Sequence, residues 1–251
     1  MSNRFSRTQL LFGPDAMEAL ARARVIVFGI GGVGGYCAEA LARSGVGAID
    51  LVDHDVVSPT NVNRQIVALE STIGKSKAHV MAERIADINP SCRVTAHTCF
   101  YLPDTADEID LGQFDYVVDA VDNVTAKLLL AQTARAAGTP IISSMGTANK
   151  LDPTALEVAD INDTSICPLA KIIRKECRKR GISHLKVVYS REPAVQPSAE
   201  AQAAYLGSVG ESTPDKFGRA GVPASNAFVP PSVGLLLASE VVKDLIAAAS
   251  A

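Results

Sequence analysis

The sequence predicts an α/β fold: a Rossmann-like, mainly parallel sheet with helices on both faces, followed by a C-terminal extension with a long loop and a terminal helix. Three observations predict it. Short apolar runs alternate with helical patterns, a glycine-rich turn follows the first apolar run, and an aspartate follows the second. The chain has 251 residues, of which 47% are hydrophobic and 20% are charged. This composition excludes a disordered chain.

The predicted strands and helices alternate along most of the chain. Apolar runs predict strands at residues 25–30, 48–52, 93–98, 116–121 and 140–144. Helical spacing predicts helices at residues 33–44, 75–88 and 123–137. This order of elements is typical of a parallel sheet. Further strands are predicted at residues 155–161 and 186–190, where helical crossovers are shorter or absent.

We interpret the chain as a single domain of residues 1–251. We expect residues 1–165 to form its α/β core and residues 166–251 to form an extension. The extension contains a basic helix, a proline-containing segment at residues 191–226 that we interpret as a long loop, and a C-terminal helix at residues 233–251.

The C-terminal helix is about as long as a membrane span. However, it carries Glu240, Lys243 and Asp244 near its middle, and such charges are costly in lipid. We therefore predict no membrane span, and a helix whose apolar side faces a protein core. The residues expected on that side are Leu235, Leu236, Ser239, Val242 and Ile246.

A glycine-rich turn lies between the first predicted strand and the first predicted helix. It consists of Gly29, Ile30, Gly31, Gly32, Val33 and Gly34. Glycines there allow a tight turn and let the backbone approach a phosphate, which the helix N-terminus attracts. Asp53 follows Gly34 by 19 residues, at the end of the second strand, where a carboxylate binds a ribose hydroxyl. The pattern predicts an adenine-nucleotide site, and a turn used only for helix–sheet packing is the alternative.

Residues beyond the second and fourth strands favour ATP over NAD. A triphosphate carries more charge than the pyrophosphate of NAD, and its chemistry requires basic side chains and a carboxylate for Mg²⁺. Arg64, Lys77 and Asp122 supply these types at the carboxyl edges of the strands, where ligands bind in open α/β sheets. Each has a plainer interpretation: Arg64 as an ion-pair partner, Lys77 as a solvated helix residue, and Asp122 as a helix N-cap.

Five motifs together resemble the adenylating domain of the ubiquitin-activating superfamily, which includes the ThiF- and MoeB-like enzymes of sulfur carriers. They are GIGGVG, the D-x-D of LVDHD, the NxNRQ run, the GxxKA element and the DAVDN segment, within about residues 1–165. The resemblance implies that the glycine turn holds phosphates, Asp53 the ribose, and Asp122 the Mg²⁺. The residues assigned to ATP are Gly29, Gly31, Gly32, Val33, Gly34, Asp53, Asp55, Asn61, Asn63, Arg64, Gln65, Lys77, Asp122 and Asn123.

The same resemblance assigns a catalytic set, namely Arg7, Arg64, Lys77 and Asp122. Arg64 and Lys77 are expected on the phosphates. Arg7 lies in RFSRTQ, which resembles the RYxRQ element of the superfamily, whose second arginine reaches the nucleotide of the neighbouring protomer. The resemblance therefore implies a homodimer.

The cysteines form neither a zinc pattern nor a disulfide pattern. There are five, and no pair has the CxxC spacing that the sulfur-carrier enzymes use for zinc. We therefore expect ATP and Mg²⁺ as cofactors and no structural zinc. Cys167 begins a helix, where the dipole would favour a thiolate, and a small helix-start residue is the plainer interpretation. The N-terminal residues lack the apolar region of a secretory signal, so we expect a cytoplasmic protein.

The formal net charge of −3 argues against a uniformly basic protein but conceals a basic segment. Residues 171–191 contain eight basic residues and one acidic residue, so this window carries +7 and the rest of the chain −10. Its helical part contains Lys171, Arg174, Lys175, Arg178, Lys179 and Arg180. A charge run is usually a solvated helix face, but this density in an acidic protein favours a polyanionic partner.

Four further segments resemble one branch of the superfamily, the tRNA threonylcarbamoyladenosine dehydratases. They are SSMGTANKLDPT, CPLAKIIRKECRKRGI, KVVYSREP and SNAFVPPSVGLLLASEVVKDL. The resemblance implies ATP-dependent cyclisation of N6-threonylcarbamoyladenosine next to the anticodon of tRNA, and it leaves open whether a cysteine desulfurase system associates. Two other classes remain, an adenylyltransferase of a ubiquitin-like sulfur carrier and an NAD-dependent oxidoreductase. A non-catalytic nucleotide-binding scaffold is a third alternative.

Overall fold

The computed structural model describes residues 4–209 and 223–250. The strands are β1 (Arg24–Phe28), β2 (Ala48–Val52), β3 (Arg93–His97), β4 (Tyr116–Asp119), β5 (Ile141–Ser144), β6 (Leu156–Asp160) and β7 (Lys186–Ser190). Across the described residues they form one sheet in the order β3-β2-β1-β4-β5-β7-β6. Neighbouring strands are parallel, except for the antiparallel pair of β6 and β7. The predicted α/β fold with a mainly parallel sheet is confirmed.

The helices are α1 (Ser6–Phe12), α2 (Pro14–Arg22), α3 (Gly34–Ser44), α4 (Lys77–Ile88), α5 (Val124–Ala137), α6 (Pro168–Lys179), α7 (Ala199–Val209) and α8 (Val229–Ala249). The helices α3, α4 and α5 connect successive parallel strands, as the sequence predicts. The sequence did not predict α1 and α2, which precede the first strand.

Helices cover both faces of the sheet. Successive side chains of a strand point to opposite faces, so each strand contributes to the core on either side. Val25 and Val27 of β1 belong to a core that includes α3, α4 and α8. Ile26 and Phe28 of the same strand belong to a second core, on the opposite face, that includes α5. The helix α6 extends this second layer, because Ile173 packs with residues of α5 and β7.

The edge strand β6 is antiparallel to β7 because no α-helix, only one short 3-10 turn, separates it from β5 in the chain. Parallel strands need a crossover connection, whereas a strand that starts at the same edge of the sheet must run in the opposite direction. The absent crossover that the sequence indicates near residues 155–161 therefore produces an antiparallel strand at the edge of the sheet.

The prediction of a continuous loop over residues 191–226 is wrong in part. The helix α7 occupies Ala199–Val209, and residues 210–222 lie outside the described part of the chain. The α7 sequence AEAQAAYLGSV contains four alanines, and alanine has the highest helix propensity. The helix α7 was not predicted because prolines flank it and its apolar residues show little helical spacing.

Asn149 fixes the segment on both sides of α7. Its main-chain carbonyl accepts a hydrogen bond from the Val195 N–H (2.8 Å), and its main-chain N–H donates to the Ala224 carbonyl (2.9 Å). Its side-chain oxygen also accepts from the Ala224 N–H (2.7 Å). Asn149 has a φ of +58°, in the left-handed region that asparagine adopts more readily than most residues.

The C-terminal helix α8 begins at Val229 and buries a different side from the one predicted. Of the residues expected in the core, Val242 is buried, Leu236 and Ile246 are half-buried, and Leu235 and Ser239 are exposed. The buried side contains Val233, Gly234, Leu237, Ala238, Val241, Val242 and Leu245.

The contact of α8 with α3 explains this orientation. Apolar residues surround most of α8, so their spacing does not define one side. A Cβ at Gly234 would lie 2.3 Å from the Val33 carbonyl oxygen, which shows how closely the two helices approach each other. Among the helices of the described residues, α8 included, none is long and apolar enough to span a membrane.

Candidate nucleotide-binding site

The glycine turn lies at the carboxyl end of β1 and contains two kinds of glycine. Gly29 has a φ of +85°, and a Cβ there would lie 2.7 Å from the Ala120 carbonyl oxygen. A Cβ at Gly34 would lie 1.8 Å from the Gly29 carbonyl oxygen. These two glycines are therefore required by the packing of the turn itself.

Gly31 and Gly32 face the NxNRQ segment instead. A Cβ at Gly31 would meet only the side-chain amide nitrogen of Gln65, at 3.7 Å. A Cβ at Gly32 would lie 3.2 Å from Pro230 Cβ and 3.4 Å from Arg64 Cγ. The space above Gly31 is therefore open to a ligand, which is the feature that a phosphate-binding turn requires.

Asp53 connects the end of β2 to the glycine turn. One carboxylate oxygen accepts a hydrogen bond from the Ile30 N–H (2.6 Å), and the other accepts from the Asp55 N–H (2.8 Å). Burial raises the pKa of Asp53, although these two N–H groups and the Lys77 charge oppose the increase. The carboxylate thus lies between the end of β2 and the glycine turn and is oriented by main-chain donors.

Lys77 is buried at the start of α4, so the interpretation of a solvated helix residue is wrong. Its ammonium donates to the Asp55 carboxylate (2.8 Å), and its main-chain N–H donates to the Asp55 carbonyl (3.1 Å). The other Asp55 oxygen lies 2.9 Å from the His54 Nε2. The structure therefore places a fixed positive charge next to the carboxyl end of β2.

The NxNRQ segment forms a compact turn beside the glycines. The Asn61 side chain accepts from the Ser58 N–H (3.1 Å). The Arg64 guanidinium donates to the Thr60 carbonyl (2.9 Å) and to the Asn63 side chain (2.8 Å), and burial lowers the pKa of Arg64. The Gln65 side-chain oxygen is buried without a hydrogen-bond partner. A buried oxygen without a hydrogen-bond donor, beside the open space above Gly31, fits a donor from a bound ligand or a water.

Asp122 and Asn123 follow β4. The Asn123 side chain accepts from the Ala126 N–H (3.0 Å) and is therefore the N-cap of α5, so the interpretation of Asp122 as that cap is wrong. Asp122 is exposed, and its carboxylate forms no hydrogen bond or ion pair with another described residue. A free carboxylate at this edge of the sheet fits a Mg²⁺ ligand, because Mg²⁺ prefers oxygen donors and binds proteins through one or two carboxylates.

Sequence reasoning missed a buried polar cluster beneath this turn. The Lys127 ammonium lies 3.1 Å from both carboxylate oxygens of Asp119, 3.3 Å from the Ser143 hydroxyl and 2.7 Å from the Ser144 carbonyl. All four residues are buried. The available signal was a lysine within the apolar stretch of the predicted helix at residues 123–137.

Arg7 lies apart from the other predicted site residues. The preceding Arg4 donates to the Ile88 carbonyl at the end of α4 (2.7 Å), and Phe5 lies against Gly45 at the end of α3. Because α3 and α4 begin at the carboxyl edge of the sheet, their ends lie at the opposite edge. The helix α1 therefore starts on the side of the molecule away from its own glycine turn.

The basic helix α6 begins near the carboxyl end of β5 and buries Ala170, Ile173 and Cys177. A Cβ at Gly146, two residues beyond β5, would lie 3.8 Å from the Cys167 sulfur. Cys167 is itself buried, which limits its exposure to reagents. The start of the basic helix thus lies at the same edge of the sheet as the glycine turn.

The six basic residues of α6 have different environments. The Arg174 guanidinium turns inward to the Thr164 carbonyl (2.6 Å) and hydroxyl (2.7 Å). Lys179 and Arg180 form ion pairs with Glu176. The remaining three are exposed and form no ion pair with any described residue: Lys171, Lys175 and Arg178.

The comparisons with known proteins cover nearly the whole chain. A model of the ThiF family matches residues 5–250. The chain is 44% identical over 248 residues to the tRNA threonylcarbamoyladenosine dehydratase of Bacillus subtilis (strain 168), covering 98% of this chain and 96% of that protein. Two crystal structures of the E. coli tRNA N6-threonylcarbamoyladenosine dehydratase, in complex with AMP and with ATP, match with TM-scores of 0.85 and 0.83. Each has 35% identity and covers 98% of this chain and 95% of that chain. The chain belongs to the ThiF family.

Proposed function

We propose that this protein uses ATP to dehydrate N6-threonylcarbamoyladenosine in tRNA, next to the anticodon, to its cyclic form. The observation that carries the proposal is the 44% identity, over 98% of the chain, to a protein of that name. The glycine turn and Asp122 support the ATP-dependent part, because both lie at the carboxyl edge of the sheet, as nucleotide sites of this fold do.

The proposed reaction begins at the threonyl carboxylate of the modified base. Its oxygen attacks a phosphorus atom of ATP, which gives an acyl-adenylate and pyrophosphate, or an acyl-phosphate and ADP. A neighbouring group of the same modification then attacks the activated carbonyl, and AMP or phosphate leaves with the carboxylate oxygen. The nucleoside loses one water in total. Because both reacting groups belong to one molecule, their effective concentration is high without an enzyme nucleophile.

Side chains and main-chain groups of this protein would position ATP and neutralise the charge of its phosphates in this reaction. We assign Gly31, Gly32 and the N-terminus of α3 to the phosphates and Asp53 to the ribose. Arg64 and Lys77 would offset the negative charge that develops on the phosphates. Asp122 would hold Mg²⁺, which neutralises phosphate charge when bound.

We assign tRNA to the exposed side of α6. A polyanion binds through basic side chains that release its counterions, and Lys171, Lys175 and Arg178 are exposed for such contacts. The start of α6 lies at the edge that carries the nucleotide residues, so an anticodon loop on this helix would bring its modified base to the ATP. Because tRNA is the proposed substrate, we propose a cytoplasmic location.

We further propose a homodimer in which Arg7 contributes to the site of the partner. The position of α1 away from its own glycine turn supports this assignment. A cysteine desulfurase as an associated partner stays a prediction of the sequence.

The test is incubation of the purified protein with ATP, Mg²⁺ and tRNA that contains N6-threonylcarbamoyladenosine, followed by mass analysis of the nucleosides. We expect the nucleoside to lose the mass of one water, and the Asp122→Asn variant to slow this loss. An unchanged nucleoside would contradict the proposal. Pyrophosphate exchange that depends on a carrier ending in Gly-Gly, and is indifferent to tRNA, would favour the adenylyltransferase instead.

A further inference from the structure

The buried cluster around Lys127 fixes both ends of the turn that carries Asp122. The Lys127 ammonium binds the Asp119 carboxylate at the start of the turn. The main-chain N–H of Lys127 donates to the Asn123 carbonyl at the end of the turn (3.0 Å). One residue of α5 therefore holds the turn from residue 119 to residue 123 at two points.

The Asp119 carboxylate also binds the main chain within the turn. In addition to Lys127, it accepts a hydrogen bond from the Val121 N–H (3.2 Å), which belongs to the residue before Asp122. The next residue after Asp119 is Ala120, whose carbonyl is the group that a Cβ at Gly29 would strike. A shift of Asp119 would therefore move both the main chain at Asp122 and the contact with the glycine turn.

Asp122 has no such restraint of its own. Its side chain is exposed and has no partner among the described residues, so its position depends on the main chain that Lys127 and Asp119 hold. A metal-binding carboxylate is effective only when neighbouring groups orient it. Lys127 is buried, which excludes direct contact with a bound nucleotide in this arrangement.

We propose that Lys127 is a positioning residue that, through Asp119, orients Asp122 for the metal–nucleotide complex. This inference rests on the proposed function, because it takes Asp122 as the metal ligand. The competing explanation is that the pair only stabilises the fold, since the loss of one partner leaves a buried charge unpaired.

The test measures metal binding directly rather than turnover. Mn²⁺ replaces Mg²⁺, a non-hydrolysable ATP analogue replaces ATP, and electron paramagnetic resonance measures free Mn²⁺ in the absence of tRNA. The main variant is Lys127→Met/Asp119→Leu, because an apolar pair of similar size leaves no buried charge. Thr139→Val is the matched control, since it removes a buried hydrogen bond beyond the C-terminal end of α5, to the Leu111 carbonyl (2.9 Å), and leaves Asp119 and the turn at residues 119–123 intact.

We expect the double variant to unfold cooperatively on heating, to bind the analogue alone as the parent does, and to bind Mn²⁺ with the analogue about tenfold more weakly. Thr139→Val should keep the parental Mn²⁺ affinity. Parental Mn²⁺ affinity in the folded double variant would overturn the inference and leave the proposed function standing. Absence of Mn²⁺–analogue binding by the parent would overturn both. If the double variant does not fold, the isosteric Asp119→Asn must show the weaker Mn²⁺ binding, and parental affinity there overturns the inference.

Discussion

At the scale of single residues, two glycines of the same turn are expected to respond differently to one added methyl group. In Gly34→Ala the new Cβ would lie 1.8 Å from the Gly29 carbonyl oxygen, so the turn must open. We expect this variant to lose about 3 kcal/mol of unfolding free energy and its ATP binding. Urea unfolding and a nucleotide titration measure the two effects.

Gly31→Ala is the matched control for this prediction. Its Cβ would meet only the Gln65 amide nitrogen, at 3.7 Å, so we expect a change of no more than about 0.5 kcal/mol in stability. Because that Cβ would occupy the open space above the turn, ATP affinity should still fall. Equal ATP affinity in Gly31→Ala and the parent would show that the phosphates lie elsewhere.

Glu39 is buried in α3 and bound by two arginines. Its carboxylate accepts from Arg84 (2.5 Å) and Arg43 (2.7 Å). Burial alone would raise the pKa of Glu39, but the two guanidinium groups outweigh it and the pKa is lowered. A lowered pKa in the folded state stabilises the protein above the unfolded value of about 4.5, and this stabilisation is lost as the pH falls through the folded value.

Glu39→Gln should therefore lower the unfolding free energy at pH 7 by about 1.5–3 kcal/mol. The difference from the parent should shrink as the pH falls below about 4. Urea unfolding at several pH values measures it. Glu18→Gln is the control, because the Glu18–Arg22 pair is exposed and such pairs contribute little. A Glu39→Gln effect that persists undiminished in acid would show that lost packing, not lost charge, is responsible.

At the scale of elements, the sequence predicted those parts whose signal is local. The strands β1, β2 and β4 are short, mainly apolar runs, and α3 to α5 have clear apolar spacing, so the order of these elements implies the parallel sheet. The orientation of α8 was not predictable, because it depends on the approach of Gly234 to α3. Likewise, α7 has alanine-rich composition but almost no buried side.

The sequence likewise predicted only those parts of the candidate site whose signal is local. The glycine turn and Asp53 follow from fixed spacings within one strand–helix–strand unit. The Lys127 cluster joins α5 to residues at the ends of two strands, and only the folded sheet brings these together. The environments of the α6 side chains were equally unpredictable, because they depend on partners such as Thr164 for Arg174.

The exposed basic side chains of α6 are expected to bind the phosphates of tRNA. Replacing Lys171, Lys175 and Arg178 by Ala should weaken tRNA binding and flatten its dependence on salt, because each lost phosphate contact reduces the slope by roughly one. ATP affinity should not change. Filter binding at several salt concentrations measures the slope.

The matched control is Arg174→Ala, which also removes one positive charge from α6. Its guanidinium caps the Thr164 main chain and side chain, so we expect lower thermal stability and a parental salt slope. A triple variant with parental tRNA affinity and slope would show that the tRNA uses another surface.

At the scale of the whole molecule, α1 exposes apolar side chains that the rest of the described chain does not cover. None of the α1 side chains is buried, and Leu10 and Leu11 are 87% and 77% exposed. Adjacent exposed leucines of this kind mark an interaction surface. The homodimer that the sequence resemblance implies would cover them, and it would bring α1 of one protomer towards the site of the other.

Subunit mixing tests this arrangement. We expect Arg7→Ala and Lys77→Ala each to lose most activity as homodimers. If Arg7 acts in the partner's site, a mixed dimer contains one site with both defects and one site with none. Random exchange of equal amounts should then restore roughly one quarter of the parental sites, by the two-fold symmetry of the dimer. If Arg7 acts within its own protomer, every site in the mixed dimer has one defect, and mixing restores nothing. Because both variants carry the parental α1 leucines, the leucine contacts across the dimer are the same in every combination, and the origin of Arg7 decides the recovery of tRNA dehydration.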